Sequence, residues 1–277
     1  MYFAGKTKVK IPNILESYDD GMSIQKLAEL FETSKVVIRR VLGTNDITIR
    51  TQSEQELLNS GNGSLRHDAF DTITEESAYW IGFLYADGYV LKYGNRCLIS
   101  IDLSTRDEGH LRKFATYLKS SNSICRSIRK REKGNYPTSK ITISSKQLFD
   151  RLTTLGFDNT KTYTAVPPME LMNNVHFWRG VLDGDGWLTK TNSRQYTLLQ
   201  VGICGTINTV KGFIDFIHAN GIESTIESPR QKLNSPINYE TNYGGNVAKK
   251  ISTLLYKDAT VYLDRKYEKY KEHFCMN

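Results

Sequence analysis

Cysteine is sparse in this chain: four among 277 residues, Cys97, Cys125, Cys204 and Cys275, with no two in a CxxC or zinc-finger spacing. That excludes a disulfide scaffold and a structural zinc as the source of stability, and reduced thiols are the expected state. Long hydrophobic runs are also missing. With no stretch of about 18 apolar residues, no bilayer-spanning helix is expected. The opening residues, Met1 to Lys6, lack the apolar segment of a secretory signal, so a cytoplasmic location is expected. The five histidines are scattered and form no His-Asn-His grouping. What remains is a composition with 39% hydrophobic and 24% charged residues, in a chain long enough for one large core or two.

Acidic residues are outnumbered, and the formal net charge of +7 points toward a polyanionic partner. The excess is concentrated. Between Ser120 and Lys146 lie Arg126, Arg129, Lys130, Arg131, Lys133, Lys140 and Lys146 against a single acid, Glu132. These residues alternate in a strand-like pattern with Tyr136 interleaved, which suits a sheet lying on a phosphate backbone.

A nine-residue string occurs twice. Trp80-Ile81-Gly82-Phe83-Leu84-Tyr85-Ala86-Asp87-Gly88 is answered by Trp178-Arg179-Gly180-Val181-Leu182-Asp183-Gly184-Asp185-Gly186, with five of nine positions identical and the final acids 98 residues apart. Each reads as an apolar helix whose last turn carries Asp and stops at Gly, a residue tolerant of the left-handed C-cap conformation. A carboxylate there faces the negative end of the helix dipole, an unfavourable placement. Gly82 and Gly180 sit mid-helix, where glycine costs about 1 kcal/mol relative to alanine. Both features make sense if two helices pack closely side by side, with Ala86 and Gly184 extending the small-residue face. Asp87 and Asp185 then meet at one end, and two adjacent carboxylates call for a cation between them.

The repeat continues beyond the strings. Strand-like segments (Tyr89 to Tyr93, Cys97 to Leu103), a helix with Leu111, Phe114 and Leu118, further strands around Ser123 to Lys130 and Lys140 to Ser144, and a helix with Leu148, Leu152 and Leu155 follow the first copy. In the second half Val210 and Phe213 answer Leu111 and Phe114, and Val247, Ile251 and Leu254 answer the last three, offset by 99. The expected fold is α+β, a duplicated α-β-β-α-β-β-α unit with two antiparallel sheets. Its halves span 75–165 and 166–277, and Tyr256 to Phe274 reads as a terminal helix or helix pair.

Ahead of the body stands a separate all-α unit, residues 1–50. A first short helix carries Ile14, Leu15 and Tyr18 and breaks at Gly21. Ser23 caps a second with Ile24, Leu27, Ala28 and Phe31 on one face. After a turn at Glu32-Thr33, Ser34 caps a third with Val37, Ile38, Val41 and Leu42. Three short helices with a tight turn before the last form a helix-turn-helix pattern, and Met22 to Phe31 resembles the second helix of resolvase-like DNA-binding heads. In that reading Ser34, Lys35, Arg39 and Arg40 line the recognition helix. The polar stretch 51–74, with Gly61-Asn62-Gly63-Ser64, reads as a linker with a short helix around Glu54 to Leu58.

On these paired strings, their spacing and the element order after each, the body resembles the LAGLIDADG homing endonucleases in their single-chain, two-motif form. Val166-Pro167-Pro168 and Tyr262-Leu263-Asp264-Arg265-Lys266-Tyr267 are similar to segments of phage and bacterial members. The resemblance implies a monomeric, site-specific, double-strand DNA endonuclease. It implies Mg²⁺, or another divalent ion such as Mn²⁺, held by Asp87 and Asp185 with the carbonyls of Ala86 and Gly184. It implies a basic residue near the metal, for which Lys146 is the candidate, with Lys190 or Lys249 serving the second half. DNA contacts are expected from Lys92, Arg96, Arg126, Arg129, Arg131, Lys133 and Lys140 on one sheet, and from Lys190, Arg194, Arg230 and Lys232 on the other. Two rival readings are a transcription regulator that kept the fold without cleavage and an intron RNA maturase.

Overall fold

The computed structural model describes residues 11–19, 22–52, 55, 65–131, 134–158, 165–192, 197–233, 235 and 237–274. The chain divides into two compact units, the first containing the head, the second formed by Arg66–Lys119 and Ser123–Asn277. In the head, helices α1 (Ile11–Asp19), α2 (Ile24–Leu30) and α3 (Lys35–Thr44) follow one another. Ser23 and Ser34 accept from the backbone N–H groups of Lys26 and Val37, satisfying donors that a helix start leaves open. Ile14, Tyr18, Leu27, Ala28, Ile38, Val41 and Leu42 form the small core. Arg50 closes it by stacking 3.8 Å over the Tyr18 ring and donating to the carbonyls of Tyr18 and Met22. Gly21 and most of the expected helix at Glu54 to Leu58 lie outside the described residues.

The second unit runs α4 (Glu75–Asp87), β1 (Gly88–Tyr93), β2 (Arg96–Ser104), α5 (Glu108–Tyr117), β3 (Cys125–Arg131), β4 (Gly134–Ser144) and α6 (Lys146–Thr154). It then repeats the order with α7 (Val175–Asp185), β5 (Gly186–Asn192), β6 (Thr197–Gly205), α8 (Ile207–Ala219), β7 (Arg230–Gln231), β8 (Tyr239–Gly244) and α9 (Gly245–Tyr256). Each half forms a four-stranded antiparallel sheet, ordered β1-β2-β4-β3 and β5-β6-β8-β7. The duplicated α-β-β-α-β-β-α architecture expected from the repeat is the architecture observed. Three details differ. The unit begins before residue 75, because Phe70 is fully buried and Tyr117 Oη donates to the Ala69 carbonyl at 2.5 Å. The buried stripe of α9 is Ala248, Ile251 and Leu255, while Val247 and Leu254 are only half-buried. The end of the chain is a loop from Lys257, then the short α10 (Asp264–Lys269) and a π-helical turn, Tyr270–Phe274.

The two motif helices lie at the centre of this unit. Residues 77–85 of α4 and 177–183 of α7 are buried, and the string in α4, apolar all round, accordingly shows no amphipathic pattern. The helices touch through backbone. A β-carbon on Gly82 would stand 2.0 Å from the Phe177 carbonyl oxygen, and one on Gly180 would stand 2.2 Å from that of Tyr79. Thr74 and Ser77 form a reciprocal capping box at the start of α4, and Asn174 accepts from two N–H groups at the start of α7.

The terminal glycines correct an expectation. Gly88 (φ −78°, ψ 162°) and Gly186 (φ −104°, ψ 180°) are extended rather than left-handed, because each helix passes directly into a strand. Glycine is needed there for space. A β-carbon would come within 2.5 Å of the Leu84 carbonyl oxygen in one case and of Leu182 Cδ1 in the other.

Gly180→Ala places its methyl against the backbone of α4, where no rotamer change relieves the clash. We expect a loss of about 3 kcal/mol or more of unfolding free energy, measured in urea. A near-neutral change would show that the helix pair slides freely.

Candidate active site and nucleic-acid interface

Side-by-side packing of α4 and α7 brings their acidic ends together. The Asp87 carboxylate oxygen lies 3.3 Å from where a Gly184 β-carbon would stand, and the Ala86 methyl only 2.4 Å from it. Alanine and glycine at these paired positions are what the contact permits. Asp87 is exposed and Asp185 half-buried. Asp185 opens into a polar cleft of about 350 Å³, lined also by Tyr85, Ala86, Cys204, Thr206, Thr209, Lys232 and Asn238. No grouping of three or more His, Cys, Asp or Glu side chains forms among the described residues. The protein thus offers two carboxylates and neighbouring backbone carbonyls. That donor set suits a hard cation that keeps waters and phosphate oxygens in its shell, such as Mg²⁺, and does not suit structural zinc.

Lys146 does not line this cleft. It is the first residue of α6, its side chain is 80% exposed, and it pairs with Asp150 one turn along. The lysine that faces the cleft is Lys232, beyond the end of β7, 3.8 Å from Glu240. Lys249 sits half-buried on α9, outside the cleft. Lys232 was legible only as one of several basic residues, because its place in the cleft with Asp185 comes from the tertiary fold and not from a local pattern.

The repeat also differs between halves at the position two residues before each key acid. Tyr85 donates or accepts a 2.7 Å hydrogen bond with Thr209. Its counterpart Asp183 is fully buried and accepts from Tyr79 Oη (2.7 Å), Tyr256 Oη (2.6 Å) and the Leu263 N–H (2.7 Å). Burial raises its pKa, and Lys266 together with these donors opposes the rise. Tyr79 spends its proton on Asp183, so the 3.0 Å contact with His110 is a bond donated by Nε2. A buried chain, His110 to Tyr79 to Asp183, therefore joins α5 of one half to the second motif helix.

Two buried cations complete the second motif. Arg179, 1% exposed, donates to the carbonyls of Val261 (2.9 Å) and Leu255 (3.1 Å) and to Glu75 (2.6 Å). Lys266 on α10, 3% exposed, donates to the carbonyls of Leu182 (2.5 Å), Asp183 (2.8 Å) and Gly186 (2.6 Å). Burial lowers its pKa to about 8, while Asp183, Asp87 and Asp185 pull it back up. It therefore sets a positive charge at the C-terminal end of α7, where the helix dipole and two carboxylates concentrate negative potential. Neither role is readable from sequence, since each partner is remote along the chain.

The register of the sheets sorts the basic candidates. Arg96, Arg129 and Lys140 share the face of the first sheet that carries Tyr89 and Tyr93, away from the helices. On that face Arg129, half-exposed, also pairs with Asp102 at 2.6 Å. Arg230 holds the matching face of the second, the face on which Trp187 Nε1 donates to Asn242 at 3.1 Å. Lys92 and Lys190 fall on the opposite faces, with Val90 and Leu188. Arg126 also turns back toward α5, where it grips Glu108 through two nitrogens at 2.5 and 2.8 Å. That grip and the Ser139 hydroxyl hold the Glu108 carboxyl at about 2. Arg126 is thus engaged in an ion pair on the helix side of the sheet, although its side chain is largely exposed. Arg131 ends β3 opposite Gly134, and Lys133 and Arg194 lie outside the described residues. In the head, Lys35, Arg39 and Arg40 are exposed along α3, whereas the Ser34 hydroxyl is occupied as its cap.

A pair of glycine-packed helices ending in acids, followed by two antiparallel sheets with a basic outer face, defines a two-fold repeated α+β body. Residues 74–155 match the family described as the LAGLIDADG-like domain. Among solved structures, the LAGLIDADG homing endonuclease I-GzeII in complex with its DNA target is similar over 73% of this chain and 88% of that one, at 11% identity and a TM-score of 0.49. A double mutant of I-SmaMI is similar over 73% and 89%, at 13% identity and a TM-score of 0.48. The LAGLIDADG meganuclease I-CpaMI bound to uncleaved DNA is similar over 73% and 90%, at 12% identity and a TM-score of 0.46. No curated protein matches the chain by sequence.

Burial holds the His110 imidazole far down, at about 3, with Lys113, Arg265 and Lys266 adding to the shift. Its folded pKa lies below the ordinary value near 6.5, so the unfolded chain binds the extra proton between those limits. Stability is complete above about pH 6.5 and falls as pH drops toward 3. His110→Gln, which cannot titrate, should flatten the dependence of unfolding free energy on pH by nearly one proton over that interval. An unchanged slope in urea titrations would assign the acid sensitivity elsewhere.

Proposed function

We propose that this chain is a site-specific double-strand DNA endonuclease of the homing type. The observation that carries the reading is the convergence of Asp87 and Asp185, one from each repeat, at the ends of two helices whose backbones touch. Two-fold placement of one acid per half suits a substrate with two antiparallel strands. Asp87 and Asp185, with the carbonyls of Ala86 and Gly184, would hold Mg²⁺ or Mn²⁺. Such ions, when bound, activate water and stabilise a leaving oxygen in phosphodiester hydrolysis.

The remaining roles fall to the chain's own side chains. Lys232, in the cleft with Asp185, orients a phosphate oxygen on the second strand. Arg96, Arg129 and Lys140 on one sheet, and Arg230 on the other, face the duplex. The open antiparallel faces fit the major groove, where base edges are distinguishable, and their arginines suit bidentate contact. The head adds a helix-turn-helix contact through Lys35, Arg39 and Arg40, extending the footprint through the linker. The protein acts as a monomer, since both half-sites reside in one chain.

The deciding measurement is cleavage of DNA spanning the uninterrupted host locus, with Mg²⁺ and with EDTA, by wild type, Asp87→Asn and Asp185→Asn. Site-specific breaks made by wild type alone and abolished by EDTA are expected, with rates down at least about 100-fold in each variant. Tight specific binding by all three proteins with no cutting under any divalent ion leaves a DNA-binding regulator instead. The sheet assignment has its own check in binding titrations. Arg129→Ala should weaken DNA affinity by roughly tenfold and lower its salt dependence, whereas Arg126→Ala should leave affinity unchanged and reduce fold stability. The reverse pattern would invert the face assigned to DNA.

A further inference from the structure

An asparagine amide can be turned over without changing its shape, exchanging its carbonyl for its NH₂ group. Asn242 on β8 is denied that freedom. Its Oδ1 accepts from Trp187 Nε1 at 3.1 Å, and an indole nitrogen only donates. Turned over, the amide would set N–H against N–H and leave both unpaired. Nδ2 is therefore fixed on the side away from the indole N–H, and it makes no hydrogen bond among the described residues.

The contact spans three strands. Trp187 pairs with Gly202 and Gly202 with Asn242, one row of residues on the open face of the second sheet. Neighbouring strands stand about 4.8 Å apart, so the indole has to cross β6 to reach β8. Glycine leaves it the room. A β-carbon on Gly202 would stand 2.4 Å from Trp187 Cζ2 and 2.7 Å from Cε2, at the edge of the ring that carries Nε1. The row lies at the end of the sheet next to the acids, because Trp187 follows Asp185 by two residues. Polar neighbours on this face are already committed. Glu240 pairs with Arg230 and Lys232, and the Cys204 thiol donates to the Asp185 carbonyl at 3.4 Å. That leaves the two amide protons of half-buried Asn242 for an acceptor from outside.

We propose that Trp187 holds Asn242 as a hydrogen-bond donor toward one base pair beside the cleavage centre, so that the second half-site excludes cytosine there on the strand contacted. This rests on the reading of the open sheet faces as the DNA-binding surface. On the major-groove edge guanine offers N7 and O6, adenine N7 and thymine O4, all acceptors, whereas cytosine offers only its N4 amino group, a donor. An amide free to turn over meets either kind. Locked by Trp187, it takes three bases and refuses the fourth, because donor against donor leaves two polar groups unpaired. Asn242 is the reader and Trp187 its positioning residue.

The test profiles the full chain against variants of its preferred target in which every base pair is changed in turn. Binding is read in EDTA and cleavage in Mg²⁺, and bases are compared within each protein. For wild type, one position should show cytosine weakening binding by about fivefold or more. Asn242→Asp keeps the size and offers only acceptors, so cytosine should become the favoured base at that same position. Trp187→Phe keeps an aromatic ring over Gly202 and loses the N–H. Cytosine should then bind within about twofold of the other bases there, with preferences elsewhere unchanged. Three results would overturn the proposal: no position at which wild type disfavours cytosine, retained rejection of cytosine in Trp187→Phe, or a uniform loss across all positions in both variants, which marks a merely structural role. A wild type with no preferred DNA sequence at all sinks the DNA reading itself, and this proposal with it.

Discussion

The meeting of the two motif acids depends on one close backbone contact. Gly82 and Gly180 let α4 and α7 approach until a carbonyl of each helix occupies the space a side chain would need on the other. Removing side-chain bulk forfeits helix propensity at both positions, and the buried apolar flanks offset that loss. Every later feature inherits its geometry from this contact. The acidic helix ends stand side by side, and each passes straight into the first strand of its own sheet. Because protein interiors repack rather than deform smoothly, the distance between the acids is set far from the acids themselves.

Departures from symmetry are concentrated in the second motif. Ile81, which packs as an ordinary core residue, is answered by Arg179, and Tyr85 by Asp183. A buried charge with an unfilled partner is expensive, whereas one with several hydrogen bonds is tolerated and specifies a single arrangement. Arg179 has three partners and the Asp183 carboxylate also three, drawn from α4, α9 and the loop that follows α9. The second repeat thus carries polar locks at the positions of Ile81 and Tyr85, while both repeats keep an aromatic cluster, Trp80 with Phe114 and Tyr117 and Trp178 with Phe213 and Phe216.

The fold and its central pair of acids were legible in sequence because they are periodic. Identical residues recurring at fixed spacing report a repeated unit, and glycine inside an apolar helix reports a close approach. What escaped reading shares a different property. The partners of Arg179 and Lys266 lie about eighty residues away, and no local pattern encodes them. Alternation suggested strands but left their facing ambiguous, so Arg126 reads like Arg129 until register places one against Glu108 and the other on the open face. Lys146 and Lys232 illustrate the same limit: both are basic residues near a strand end, and only the cleft at Asp185 separates them. The terminal glycines were placed correctly and explained wrongly, since crowding rather than a left-handed turn excludes a β-carbon at Gly88 and Gly186.

The separation of those buried groups along the chain has a consequence for synthesis. Asp183 is made 80 residues before the Leu263 N–H it accepts from, and Arg179 is made 82 before the Val261 carbonyl. At translation rates of about 5–20 residues per second, the second motif waits roughly 4–16 seconds for these partners. During that interval Arg179 has only Glu75, and Asp183 only Tyr79, of its final partners. The helix pair can therefore form on α4 contacts alone, and its polar anchoring is completed only after the segment bearing Val261, Leu263 and Lys266 has emerged.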